Sequence, residues 1–190
     1  MTVNEAELAK KLVALEQRIQ VLEAEADIRR IQARYMFLCD TPCPEAGVKD
    51  DAARIDLIMD LYTEDAIWEG VGEYYDNQFG RCVGKAAIRK HFQGFWCKER
   101  DPALLLNAHY LTSEQIHVHG DEADGQWIHC QPWVFSDGTS LLRSSRLNNL
   151  FRKVDGVWKI SRTRTENVFV APLAAGWVES MPTYSVLMKK

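Results

Sequence analysis

The chain has 190 residues, 46% of them hydrophobic and 26% charged, proportions that fit one compact core with appendages and exclude a disordered or low-complexity polymer. Its formal charge of −4 offers no basic field for phosphate-dominated binding, so nucleic acid is excluded as an expected partner. No apolar run approaches the ~18 residues of a membrane span, and the opening MTVNEAELAKK lacks the basic and apolar regions of an export signal, so no membrane partner and a cytoplasmic location are expected.

Thr2 and Glu5 match a capping box, after which Leu8, Leu12, Leu15, Ile19 and Leu22 recur in alternating steps of four and three. That spacing is a coiled-coil-like seam. So narrow a stripe, flanked by charged residues, can be buried only against another helix or another subunit. A homo-oligomer, dimer or trimer, is therefore expected, with docking onto the chain's own domain as the alternative. The period continues through Ile28, Ile31, Tyr35 and Leu38, and Thr41-Pro42-Cys43-Pro44 stops the helix near Asp40.

A second amphipathic helix is predicted from about Asp51 to Tyr62, closed by Thr63-Glu64-Asp65 and followed by a short strand at Ala66-Ile67-Trp68. Residues 70–84 read as a loop with a short strand near Phe79 to Val83. A third helix, Lys85 to Trp96, turns Ile88, Phe92 and Phe95 inward. After Pro102 the period changes to two, giving strands at about 108–119, 123–136, 139–153 and 157–169. Turns at Gly120-Asp121, Asp137-Gly138 and Asp155-Gly156 join them into an antiparallel meander. Helices followed by a curved antiparallel sheet make an α+β design whose open end can form a pocket.

The five cysteines are odd in number and contain no CxxC pair, which argues for reduced thiols over a disulfide framework or zinc site. Trp127, His129, Gln131 and Trp133 alternate on one strand face. Their mixture of flat apolar and polar groups suits the wall of a pocket for a ring compound, and a subunit interface accounts for it equally. Tyr62, Trp68, Tyr74 and Tyr75 can extend an aromatic lining, and His91 beside Phe92 can face it. His117 and His119 share a strand face without a third ligand and read as a solvated pair, so no metal is expected.

The segments ADIRRIQARYMFLCD, DLYTEDAIW, GKAAIRKHF, HYLTSEQIHVHGDEADGQW and FRKVDGVWKISRTR together resemble the SnoaL-like branch of the NTF2-like superfamily over about residues 8–170. The most specific likeness is to the bile-acid 7α-dehydratase type. It lies in the leading helix, a Tyr and an Asp five residues apart at the end of the first domain helix, and a His opening the long strand after the third helix. On that pattern Tyr35, Asp40 and His109 are the matching catalytic positions. The resemblance implies a cone of helices packed on a curved antiparallel sheet, with an N-terminal helical extension over 1–26, the SnoaL-like domain over 27–170 and a tail over 171–190. Scytalone dehydratase, polyketide cyclases, ketosteroid isomerase-like proteins and lignin diarylpropane formaldehyde lyases belong to the same superfamily, so the resemblance fixes a fold better than a reaction. Where the bile-acid enzymes carry an Arg in the last strand this chain has Asn167, with Arg162 and Arg164 a few residues earlier. Either the substrate differs or a neighbouring Arg reaches in; a different substrate is expected.

Elimination next to an electron-withdrawing group needs a base for the C–H proton and an acid for the leaving group, and histidine suits both. A carboxylate on its ring fixes the tautomer and stabilises imidazolium, the role available to Asp40. Tyr35 lies about 140 degrees around the helix from Asp40, so the two border one cavity only near the helix end, where a tyrosine hydroxyl can donate to developing negative charge. Each residue also has a plain structural account: Tyr35 as core, Asp40 as a polar helix end, His109 as a strand histidine. The expected function is a cofactor-independent lyase acting on a bulky hydroxylated ring compound such as a steroid, polyketide or lignin-derived aromatic. The expected substrate-binding residues are Tyr62, Trp68, His91, Trp127, His129, Gln131, Trp133 and Asn167. An isomerase or cyclase, a non-catalytic ligand-binding or assembly module, and the small subunit of a ring-hydroxylating dioxygenase remain alternatives at this level.

Overall fold

The computed structural model describes residues 4–43, 45–76 and 79–174. The first helix, α1 (Glu5–Cys39), runs unbroken for 35 residues, about 50 Å at 1.5 Å per residue. Asn4 caps it, its side chain accepting the Ala6 N–H at 3.2 Å; Thr2, expected in that role, lies outside the described residues. The seam of Leu8, Leu12, Leu15, Ile19 and Leu22 is 47–61% exposed. From Ala24 onward one face turns buried, through Ile28, Gln32, Tyr35, Met36, Leu38 and Cys39. The helix stops where expected, because Asp40 is extended and its N–H closes the last turn onto the Met36 and Phe37 carbonyls.

Helix α2 (Asp51–Asp60) starts at Asp50, whose side chain accepts the Ala53 N–H at 2.8 Å. It ends two residues sooner than expected. Tyr62, Thr63, Glu64 and Asp65 belong instead to strand β1 (Tyr62–Val71), with an irregularity between Tyr62 and Ile67. Aromatic and β-branched side chains fit a pleated surface, and Tyr62 is fully buried once its backbone pairs with Ile160. Tertiary pairing therefore outweighs the local pattern that extended the helix. The loop expected over 70–84 holds a single turn, α3 (Glu73–Asp76), and strand β2 (Arg81–Val83). Helix α4 (Lys85–Trp96) has the predicted bounds.

Five further strands follow: β3 (Leu104–Asn107), β4 (Tyr110–His119), β5 (Glu122–Phe135), β6 (Ser140–Val154) and β7 (Val157–Pro172). All seven form one strongly curled sheet in the order β2-β1-β7-β6-β5-β3, with β4 also on β5. The meander from β4 to β7 is antiparallel as expected, but β1 pairs with β7 in parallel, so the sheet is mixed. No hairpin joins β1 to β7, and the long intervening chain permits the parallel direction. The strand expected from residue 108 is split. β3 pairs with Trp133–Phe135 and β4 with Glu122–Cys130 on the same edge of β5, leaving Ala108 and His109 at the break between them.

Helices α1, α2 and α4 cover the concave face, where Ile28, Leu38, Ile55, Ile58, Ile88, Leu147, Phe151 and Ile160 are at most 2% exposed. Burying each such side chain contributes about 1.5–3 kcal/mol. A buried hydrogen bond from Asn149 Nδ2 to Gln32 Oε1, 2.9 Å, ties α1 to β6. The resulting α+β cone has a groove between α4 and the strands β5 and β6. Among the described residues no helix is long and apolar enough to cross a membrane, and all five cysteines are free thiols.

Candidate functional site

Two backbone hydrogen bonds assemble the heart of the site. Thr41 N–H donates to the Asn107 carbonyl at 2.8 Å and Asn107 N–H to the Thr41 carbonyl at 2.9 Å, binding the end of α1 to the end of β3. Asp40 and His109 flank this bridge and are thereby brought together from 69 residues apart. One Asp40 oxygen, Oδ1, accepts the His109 backbone N–H at 2.9 Å and meets His109 Nδ1 at 2.6 Å. Arg54 Nη1 holds the Asp40 backbone carbonyl at 2.9 Å.

A carboxylate only accepts, so Nδ1 carries the proton and Nε2 presents its lone pair. Gln131 Nε2 donates to that lone pair at 3.0 Å and to Asn107 Oδ1 at 2.6 Å. The two hydrogens of one amide thus meet two acceptors, which fixes the amide's orientation and, with Asp40, the histidine tautomer. The chain Asp40, His109, Gln131, Asn107 is consistent in every donor and acceptor.

His109 faces a cavity of about 100 Å³. Its walls are Tyr35, Met36 and Cys39 of α1, Trp68 of β1, Tyr75 and Phe79, the α4 residues His91, Phe92, Phe95 and Trp96, and the sheet residues Asn107, His129, Gln131, Trp133, Arg143, Leu147 and Thr165. A wider outer groove shares Phe79, His91, Phe95 and Trp133 with this cavity and continues past Tyr74, Lys90 and Arg100. His129 stacks against His109 with centroids 5.0 Å apart and planes 11° from parallel. Burial, reinforced by the neighbouring His109 and Arg143, holds His129 well below the ordinary imidazole range. Its two ring nitrogens are buried with no partner among the described residues, leaving one donor and one acceptor for a ligand.

Tyr35 accepts a hydrogen bond from Trp68 Nε1 at 3.0 Å, and its ring sits edge-on to Tyr62 and Phe92. Burial raises its pKa well above the usual phenol value, so the hydroxyl keeps its proton. Burial lowers His91 to about 4, and its ring lies 4.3 Å from that of Trp68.

Of the residues singled out in the sequence, Tyr35, Trp68, Tyr75, His91, His109, His129, Gln131 and Trp133 line one cavity, Tyr74 lines the outer groove, and Asp40 stands behind His109. Tyr62, Trp127 and Asn167 do not line the cavity. Tyr62 lies behind Tyr35 and bonds Thr163 Oγ1 at 2.6 Å. Trp127 shares the strand period of His129, but the curl of the sheet carries it into the core. There it meets Phe151 edge-on and donates to Glu114 Oε2 at 3.2 Å. Its indole lies across Gly125, where a Cβ would come within 2.4 Å of the ring. Asn167 pairs with Ser145 on β6 and packs near Gly72. Arg162 and Arg164 do not reach the cavity either: both engage Glu69, with Arg162 Nε at 2.9 Å and Arg164 Nη1 at 3.1 Å from Oε1.

Arg143 and Asn107 were not singled out in the sequence. For Arg143 a signal exists, since Arg143, Ser145, Leu147, Asn149 and Phe151 alternate along β6 and all five are buried, mixing polar groups into a core-facing phase. Asn107 carries no local signal, because its role depends on Thr41 and Gln131. His117 and His119 both turn to Asp124, at 3.1 and 3.3 Å, on an exposed strand. Among the described residues no three His, Cys, Asp or Glu side chains converge as a metal site.

A family model described as a SnoaL-like domain matches residues 20–164. Similar solved structures include an NTF2-like protein with a cystatin-like fold from Novosphingobium aromaticivorans, 22% identical, covering 83% of this chain and 90% of that one, TM-score 0.60. Another is hexachlorocyclohexane dehydrochlorinase (LinA) type 2, 19% identical over 80% and 90% of the two chains, TM-score 0.62. A third is a provisionally named scytalone dehydratase from N. aromaticivorans DSM 12444, 16% identical over 80% and 89%, TM-score 0.60. At these identities what is shared is the fold. No curated protein matches the chain.

Proposed function

The chain belongs to the SnoaL-like domain family, and on that premise we propose that it is a cofactor-independent lyase that eliminates a leaving group from a ring compound, with His109 as base. The observation that carries this reading is the bond from His109 Nδ1 to Asp40 at 2.6 Å, which leaves the Nε2 lone pair at the wall of an aromatic cavity. Two of the similar solved structures bear the names of elimination enzymes, a dehydrochlorinase and a dehydratase.

In the proposed reaction Nε2 takes a proton from a carbon next to an electron-withdrawing group. The C–H electron pair forms the new C=C bond as the C–O bond to the leaving hydroxyl breaks. The departing oxygen takes a proton back from the imidazolium and leaves as water. Asp40 stabilises the imidazolium between these two transfers. Gln131, displaced from Nε2 by the substrate, and the Tyr35 hydroxyl supply donors for charge that develops on substrate oxygen. His129 offers a further hydrogen bond from the stacked position below His109.

The size of the cavity narrows the substrate. At about 100 Å³ it is smaller than the ~150 Å³ cavity that admits benzene, so a single ring enters with slight give in the walls. Any larger remainder of the molecule lies in the outer groove. The proposal includes a second copy of this chain as partner, paired through the seam on α1.

The test is a panel of hydroxylated and halogenated ring compounds, followed by the ultraviolet absorbance of the new double bond. Once a substrate is found, His109→Ala and Asp40→Asn should each lower kcat by about 10²–10⁴-fold while the far-ultraviolet circular dichroism stays parental. Folded variants with parental turnover would overturn the assignment, and tight binding without turnover would mark a ligand-binding module.

A further inference from the structure

Asp40 stands where an anion is disfavoured. It is the C-cap of α1, at the negative pole of the helix dipole, and the last turn of α1 has no basic residue to offset that pole. The compensation comes from α2. Arg54 is 6% exposed. Its Nη1 donates to the Asp40 backbone carbonyl at 2.9 Å and its Nη2 to Asp51 Oδ1. The guanidinium carbon lies 4.5 Å from the ring centroid of Trp96, which lines the cavity and stacks on Phe92 at 5.0 Å with the planes 11° apart. One planar group thus touches the end of α1, the start of α2 and the end of α4.

The backbone around Asp40 makes that grip directional. Asp40 N–H donates to the Met36 and Phe37 carbonyls, Thr41 N–H donates to the Asn107 carbonyl, and the Asp40 carbonyl accepts from Arg54. Both backbone dihedrals of Asp40 are held in this way, which leaves only its side-chain torsions to aim the carboxylate at His109. Two of these holds are made by backbone and the third by Arg54. A carbonyl at a helix end can be satisfied by water or a nearby N–H, and a guanidinium is costly to withdraw from water. What arginine adds over those partners is a rigid fork and a positive charge beside Asp40.

We infer that Arg54 is a positioning residue for the acid-base pair. It acts through Asp40, fixing the peptide that carries the carboxylate and offsetting the helix dipole, so that Oδ1 stays on His109 Nδ1. Its effect on turnover rests on the reading of His109 as base, whereas its hold on the Asp40–His109 hydrogen bond does not.

The first measurement needs no substrate. A proton in a short bond between imidazole and carboxylate resonates well downfield of the amide protons, and its loss in His109→Ala assigns the signal. In Arg54→Met, which keeps much of the apolar contact with Trp96, the signal should vanish or move upfield at a temperature where the circular dichroism is parental. Arg54→Lys, which keeps the charge and a donor, should recover it. On a verified substrate Arg54→Met should lower kcat by roughly 10–100-fold, as a small misplacement of a reacting group does, with KM close to parental. If Arg54→Met does not fold, Asp51→Ala, at a partly exposed position, frees the other arm of the fork and should broaden the same signal. A wild-type chain without the downfield signal, a parental signal in folded Arg54→Met or, failing that variant, in Asp51→Ala, or no recovery with lysine would overturn the inference. Parental turnover in a folded variant that has lost the signal would leave the hold of Arg54 on the pair and remove the lyase reading; a parental signal in a chain whose turnover depends on His109 would do the reverse.

Discussion

At the level of single residues, the most informative contact is the one between Gln131 and His109. Gln131→Leu keeps the volume but removes the donor from Nε2 and leaves Asn107 Oδ1 without its 2.6 Å partner. The histidine ring then has one tether in place of two. We expect kcat on a verified substrate to fall about 10–100-fold, the range seen when a positioning contact is lost, with Gln131→Asn recovering little because its shorter arm cannot span both acceptors. The two buried imidazoles give a second expectation. Burial lowers His91 to about 4 and His129 well below the ordinary range, so the folded chain stays unprotonated while the unfolded chain takes up protons as pH falls through about 6.5. Stability is therefore complete above pH 6.5 and lost on the way down towards the folded values. Thermal melts between pH 6.5 and 5 should show Tm dropping by roughly 2–4 °C per pH unit for each histidine, and His91→Phe should flatten the slope. The position of Asp40 at a helix stop was legible in the local pattern, while its pairing with His109 was expected from the family resemblance. Arg143 left only its phase with Leu147 and Phe151 along β6 as a signal, because an arginine in a strand looks solvated until Trp133, Tyr74 and Tyr75 are known to surround it.

At the level of elements, α1 joins two environments in one rod. Its C-terminal half is packed against β7 and β4, while the seam from Leu8 to Leu22 is open to solvent. The step pattern that marks this seam in the sequence is self-complementary, and Lys10, Lys11, Glu16 and Glu23 flank it with both signs. Light scattering coupled to gel filtration should give a dimer or trimer for the wild-type chain, and Leu12→Glu combined with Ile19→Glu should give a monomer of unchanged helix content. A wild-type monomer at micromolar concentration would refute the pairing. The end of α1 was readable because Thr41-Pro42-Cys43-Pro44 cannot extend it, and α4 from its apolar spacing, whereas the cap of α1, read as Thr2, is Asn4. The strand character of Tyr62 to Asp65 was not readable, since only its pairing with β7 decides against continuing α2.

For the whole molecule, the order of helices and hairpins in the sequence yielded the α+β cone, whereas the parallel join of β1 to β7 and the split of β3 from β4 depend on partners distant in the chain. The same distinction between near and distant partners sets an order of assembly. β4 to β7 are joined by tight turns, so their pairings close short loops at little entropic cost. The Asp40–His109 bond spans 69 residues and exists only when the end of α1 has been fastened to β3 through Thr41 and Asn107. After dilution from denaturant, the β-sheet circular dichroism signal should return first and turnover should lag behind it. Simultaneous recovery would show that helix docking is part of the rate-limiting step. On the lyase reading, the bridge of two backbone hydrogen bonds thereby makes turnover a clock for the final closure of the fold.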